Sequence, residues 1–167
     1  TVKAQGTITE TFTSQTSDGY VYCYDIDTNY NAVHQAETGI VEDTLNNLII
    51  GQKFDDFYSF CYIYRGFSFF DTSIIPNNAN LTEVKLSLYV LSDQSSTDFN
   101  ITIQDGQPYY PHNPLVDGDY YYDHYSGDGG QFNTSDLVAG YNNITFISDG
   151  RSWIQKDGAT KLCLRSS

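Results

Sequence analysis

The chain has no methionine, a single tryptophan, four prolines and three cysteines, and only eight of its 167 residues are Lys or Arg against 21 Asp and Glu. The shortage of positive charge excludes the partners that need it. A formal charge of −13, spread along the chain, repels nucleic acid and anionic membranes, which are held by Lys and Arg neutralising phosphate. No apolar run approaches the roughly 20 residues that span a bilayer, so no membrane insertion is expected. A start at Thr1 with no leader-like segment reads as an exported chain whose signal peptide has been removed. Cys23, Cys61 and Cys163 show neither CxxC nor Cys/His metal spacing. They leave two readings: a Cys23–Cys61 disulfide, favoured because both lie in aromatic strand-like runs, or three buried free thiols.

What is abundant is aromatic. Fifteen Tyr and ten Phe, with many Thr, Ser, Asn, Asp and Gly, favour strands and turns. Val84, Leu86, Leu88 and Val90 alternate with Lys85, Ser87 and Tyr89, and Phe99, Ile101 and Ile103 alternate with Asn100 and Thr102, each the signature of a strand with one buried face. Tyr20 to Tyr24, Phe57 to Phe70, Ile144 with Phe146, and Leu162 to Leu164 add further β segments. Short helical turns are expected near Glu42 to Asn47 and Ser135 to Ala139, and a turn at Asp149-Gly150. Short strands separated by turns, within a length that supports one core, predict an all-β, jelly-roll-like antiparallel sandwich over residues 17–167. The Tyr, Gly and Asp-rich stretch from Pro108 to Gln131 is long enough to be functional or packed on itself.

Residues 1–16 form an arm of different character. Val2, Ala4, Gly6, Ile8 and Phe12 share one parity and Lys3, Gln5, Thr7, Thr9, Thr11 and Thr13 the other, with Glu10 breaking the apolar side. Fully extended, the arm reaches on the order of 40 Å.

Few motifs carry chemistry. Asn80, Asn100, Asn133 and Asn143 open Asn-x-Ser/Thr sequons and are candidate N-glycan sites. Tyr109, Tyr110, His112, Tyr120, Tyr121, Tyr122, His124 and Tyr125, with Trp153, could form an aromatic platform for polysaccharide, or simply pack the long connection. Asp117, Asp119, Asp123 and Asp128 are hard oxygen ligands on a glycine-rich segment but match no EF-hand spacing. No metal or cofactor is predicted. The nucleophile-elbow, HExxH, P-loop and dinucleotide signatures are absent, and His34, His112 and His124 are far apart, so no catalytic residue is assigned and the chain is read as a non-enzyme. Arg65 is expected to be an ion-pair or hydrogen-bond anchor.

From Ser17 to Ser166 the chain resembles the DNRLRE domain family of extracellular β-sandwich modules, related to disaggregatase repeats and to a carbohydrate-binding-module family. The resemblance rests on Ser17-Asp18-Gly19-Tyr20-Val21, Tyr64-Arg65-Gly66-Phe67, Phe70 to Pro76, Val84 to Val90, Asp105-Gly106-Gln107-Pro108, Gly140-Tyr141-Asn142, Trp153-Ile154 and Thr160 to Ser166, in that order. It implies one or two closing strands beyond the last block, and hence an open groove beside Leu162 and Leu164. The arm of a second copy, with Val2, Ala4, Ile8 and Phe12 inward, has the alternation to fill such a groove by strand addition. Donor and groove then lie on different surfaces of one subunit, so copies join head to tail into an open, pilus-like filament. Two alternatives stand beside it: residues 1–16 as the domain's own first strand, and a carbohydrate-binding module reading polysaccharide through its Tyr-rich loop.

Overall fold

A computed structural model of the chain describes residues 7–26, 29–45 and 47–166. Among them nine strands form: β1 (Gly19–Ile26), β2 (Ile40–Glu42), β3 (Gly51–Asp55), β4 (Phe60–Asp71), β5 (Lys85–Val90), β6 (Asn100–Gln104), β7 (Gln131–Asn133), β8 (Gly140–Thr145) and β9 (Ala159–Ser166). The two α-helices, α1 (Tyr30–His34) and α2 (Ser148–Ser152), are single turns. Helix α1 starts where the Asn29 side chain accepts the Ala32 N–H, a side-chain N-cap. No helix among the described residues is long and apolar enough to cross a membrane.

All pairings are antiparallel, and the strands divide seven and two. The large sheet runs β2-β1-β4-β9-β6-β7. The twelve-residue β4 is its spine: β1 occupies one edge, while β3 and then β9 share the other, since Tyr64 pairs with Tyr22 and Gly51 and Gly66 pairs with Tyr20 and Leu164. The second sheet is the β5–β8 pair alone.

Strand parity sends alternate residues to opposite faces, and each face carries its own core. On one, Val21, Ile63, Phe67, Phe69 and Cys163 are buried beneath Val33 of α1 and beneath Leu115, Tyr120 and Tyr125 of the long connection. On the other, Ile101, Ile103, Leu162 and Leu164 are buried beneath Leu86 of β5, Ile144 of β8 and Phe146. Each such side chain stabilises the fold by about 1.5–3 kcal/mol on burial. The alternation read in 84–90 and 99–103 is realised as β5 and β6, with Leu86, Ile101 and Ile103 inside.

The connection from Pro108 onward packs on itself around Asp119. This fully buried carboxylate accepts the backbone N–H groups of His112 and Val116 and sits 2.9 Å from His112 Nδ1. Buried polar groups persist only when so satisfied.

Four expectations are corrected. The groove beside Leu162 and Leu164 is absent, because β9 is an interior strand paired with β4 on one edge and β6 on the other. The Cys23–Cys61 disulfide is not formed and all three cysteines are free. Cys23 stands opposite Ile63 and Cys61 opposite Asp25, a diagonal relation of roughly 7–8 Å that exceeds the ~3.8 Å Cβ separation of a disulfide. No helical turn forms among the described residues of 42–47, whereas the short helical turn expected near Ser135 is present as the 3-10 turn Thr134–Asp136. Asp149-Gly150 lies inside α2.

Topology also fixes two ends. β1 runs from Gly19, beside Phe67, to Ile26, beside Phe60. The arm therefore joins at the end where β4 finishes, called here the root, and the β3–β4 hairpin forms the opposite end, the tip. β5 starts at the root, because Lys85 pairs with Thr145 just before Phe146 and α2, and Lys156 beyond α2 bonds to Ala79 ahead of β5.

Candidate functional site

Residues 7–16 belong to no strand. Ile8 is 79% exposed and Phe12 half-buried, while Val2 and Ala4 lie outside the described residues. Near its base the arm is tied to the domain: the Gln15 N–H donates to Phe69 O at 2.8 Å, the Asn113 side chain donates to Gln15 Oε1, and Asp18 Oδ1 accepts the Phe69 N–H. The described part of the arm is thus not its own domain's first strand.

The second layer is narrow. β8 approaches β7, with the Ile147 N–H bonded to Gly129 O and Gly130 packed against Thr145 O. β5 therefore turns its unpaired edge toward the β1–β4 half of the large sheet. No third strand among the described residues pairs with either β5 or β8. The segment linking β2 to β3 crosses this half over Gly66, where a Cβ would meet Ile50 Cγ1 at 2.9 Å. Leu48 and Ile50 pack into the core and Ile49 is exposed, a strand-like alternation in residues that belong to no strand. Among the described residues β5 pairs with β8 alone, which leaves it one free edge of the kind that proteins normally cover.

Beyond the crossover the same face is half-exposed and aromatic. Tyr22, Tyr24, Tyr62 and Tyr64 stand as a cross-strand ladder: Tyr22–Tyr64 at 5.4 Å, Tyr24–Tyr62 at 5.2 Å and Tyr62–Tyr64 at 6.1 Å between centroids, all stacked. Their ring faces meet one another. Burial, with the neighbouring tyrosines, pushes the Tyr64 phenol up to about 12. The ladder ends in the tip, where Phe57 is 85% and Tyr58 63% exposed. The turn is held by Asp55 Oδ1, which accepts the N–H groups of Phe57 and Tyr58, and by Ser59 at φ 56°. Tyr24, Ile26 and Phe54 are exposed beside it. Contiguous apolar exposure of this kind marks interaction surfaces.

Of the residues expected to form a sugar platform, Tyr110, His112, Tyr121, Tyr122, His124 and Tyr125 join in one connected set of ring contacts. Tyr120 and Tyr125 are core residues. Tyr110 stacks on His124 at 3.6 Å, Tyr121 meets His124 edge-on, and Tyr122 tilts against His34. Trp153 lies over Gly127 and Gly129, whose missing side chains make room for the indole. Tyr109 is exposed by itself, outside every ring contact among the described residues. Asp117, Asp119, Asp123 and Asp128 each engage local N–H or O–H donors, and no group of three metal-ligating side chains occurs among the described residues. Arg65 is buried and donates to His34 O at 2.9 Å, the hydrogen-bond anchor expected of it.

Of the sequons, Asn143 projects outward from β8 and Asn80 lies exposed ahead of β5, whereas Asn100 and Asn133 face each other across β6 and β7, Asn133 Nδ2 donating to Asn100 Oδ1 at 2.9 Å. A cavity of about 300 Å³ opens at the root, lined by Ala79, Asn80, Leu81, Arg151, Ile154 and Lys156 among others.

The ladder was open to sequence reasoning in the spacing Tyr20-x-Tyr22-x-Tyr24 and Tyr62-x-Tyr64; what the spacing lacks is the register joining the two. No family model matches the chain, and neither a curated protein nor a solved structure matches it.

Proposed function

We propose that the chain is a secreted structural subunit that polymerises into a pilus-like extracellular filament, each copy passing its N-terminal arm into the second layer of the next. The observation that carries this reading is the pairing of a surplus with a deficit: an arm whose described residues, 7–16, belong to no strand, and a second sheet that among the described residues is two strands wide beside one of seven.

The acceptor is the free edge of β5. A copy whose root rests on the next copy's tip sends its arm along β5 from the tip, running parallel to that strand. Val2, Ala4, Gly6 and Ile8 turn inward over seven residues, roughly 23 Å, close to the roughly 20 Å of β5. Glu10 ends the apolar run there, and the threonines of the other parity face water. Backbone bonds to β5 provide affinity and the inward side chains provide register. Because donor and acceptor surfaces differ, the contact repeats without closing.

The test compares the full chain with one lacking residues 1–13, by negative-stain microscopy and size exclusion. Filaments are expected only from the full chain. A synthetic peptide of residues 1–13 is expected to raise the melting temperature of the shortened protein, and the same peptide with Val2→Asp and Ile8→Asp to leave it unchanged. A full chain that stays monomeric at high concentration, or a native peptide without effect, overturns the reading.

A further inference from the structure

The strand exchange leaves two surfaces unexplained, one at each end of the molecule. At the tip, Phe57 and Tyr58 project into solvent next to the exposed carboxylate of Asp56. At the root, the cavity beside α2 holds Arg151 and Lys156. The chain has 21 acidic residues for eight basic ones, yet neither of these cations has a carboxylate partner among the described residues. Arg151 Nη1 donates to Phe146 O at 3.1 Å and Lys156 Nζ to Ala79 O at 2.8 Å. Lys53 and Lys85, by contrast, are paired with Asp55 and Glu83.

We infer that the Asp56–Tyr58 tip of one copy docks into the Arg151/Lys156 cavity of the adjacent copy in the same filament. The inference rests on the head-to-tail reading, which brings root against tip, and it adds a second contact independent of the arm. Three observations carry it. The surfaces are complementary in charge, an acidic turn against two cations with spare donors, and such complementarity sets partner choice and register. The cavity lining is mainly polar, with Ala79, Leu81 and Ile154 as its apolar members, and an aromatic anchor with a polar tip such as Tyr58 entering a pocket is the usual energetic centre of an interface. The turn is held in place by the Asp55 bonds to the Phe57 and Tyr58 N–H groups, so docking orders little that was loose.

The experiment is a charge exchange on the full chain, read as the concentration needed for filament formation. Asp56→Lys and Lys156→Glu are each expected to raise it by at least about tenfold, as loss of a central interface residue does, and the double variant Asp56→Lys/Lys156→Glu to bring it back near the original. Phe57→Ala/Tyr58→Ala, which removes only exposed rings, is expected to match the single charge variants. All four keep the parent melting temperature, and their arm-less forms bind the 1–13 peptide as the parent does. Single variants that polymerise like the parent, or a double variant that stays as impaired as the singles, overturn the docking while peptide binding leaves the arm reading standing. Loss of peptide binding by the parent itself would instead remove the arm reading.

Discussion

The guanidinium of Arg65 lies 4.0 Å from the centroid of the Tyr120 ring, and both side chains are fully buried. No carboxylate among the described residues forms an ion pair with Arg65. Its compensation is the Tyr120 ring face and the single bond from Nη2 to His34 O, while Nη1 has no hydrogen-bond partner. Burial lowers the arginine below its ordinary range. Tyr120 in turn donates its hydroxyl to Val33 O at 2.8 Å, so the pair pins α1 and the long connection to the sheet.

Replacing a buried, incompletely satisfied charge by an apolar side chain of similar volume is often neutral or stabilising. Arg65→Met is therefore expected to change unfolding free energy by less than about 1 kcal/mol, whereas Arg65→Ala, which leaves a void, costs about 2–4 kcal/mol. A double-mutant cycle of Arg65→Met with Tyr120→Leu, by urea unfolding, is expected to give a coupling of roughly 1–2 kcal/mol for the cation–π contact. A coupling near zero would show that the two side chains only share space.

Asp18 supplies a pH dependence whose sign is unusual for a carboxylate. Burial raises it above its ordinary 3.8, against the lowering effect of the Phe69 N–H and the Ser14 and Ser68 side chains. Between 3.8 and the raised value the folded chain keeps a proton that the unfolded chain has released. Stability from this group is complete below 3.8 and is lost as pH rises through the folded value. Asp18→Asn keeps an acceptor for the Phe69 N–H without the charge, so its melting temperature is expected to gain on the parent as pH climbs out of the acid range and then level off. Asp18→Ala strands that N–H and costs about 1–3 kcal/mol at neutral pH. A pH-independent difference between the Asn variant and the parent would show that the carboxyl titrates alike in both states.

Sequence legibility followed the range of the interactions. Val84 to Val90 and Phe99 to Ile103 could be read because alternation is local: a strand with one wet face announces itself residue by residue. The place of β9 could not, since Leu162 and Leu164 look the same at an edge and in the middle, and only the pairing of Ile103 with Leu164 decides it. Tyr120 is buried in the apolar cluster over β4 with the Arg65 guanidinium against its ring, a contact 55 positions away in sequence that composition does not record. Exposed and buried tyrosines are alike on paper, so the sequence alone does not separate the core ring of Tyr120 from the exposed rings of Tyr24 and Tyr58.

The free thiols differ in access. Cys163 is fully buried and its thiol is pushed up to about 12, chiefly by burial, while Cys61 is buried and Cys23 half-buried, both raised for the same reason. Because the thiolate is the reactive form, iodoacetamide at pH 8 is expected to label Cys23 slowly, Cys61 more slowly and Cys163 only after denaturation. Reductant is expected to leave the melting temperature unchanged. A reductant-dependent melt, or an intact mass two hydrogens light, would establish a disulfide in place of two of these thiols.

The four sequons are expected to differ in occupancy because their side chains differ in freedom. Transfer of a glycan requires an accessible amide nitrogen. Asn133 Nδ2 is committed to Asn100 Oδ1, and its own Oδ1 accepts the Ser135 N–H, so modifying it would break a cross-strand pair and a turn together. Asn143 points outward beside Ser87 on the solvent side of β5 and β8, and Asn80 lies at the rim of the root cavity. Peptide mapping of protein from its native source is expected to find glycan on Asn143, none on Asn133, and less on Asn80 in filaments than in free subunits, because a docked tip covers that rim. Ser135→Ala, which removes the Asn133 sequon, is expected to leave the intact mass lower by the side-chain change alone. A glycan-sized mass loss from that variant would mean that the β6–β7 pair opens before modification and that the Asn100–Asn133 bond does not hold it closed.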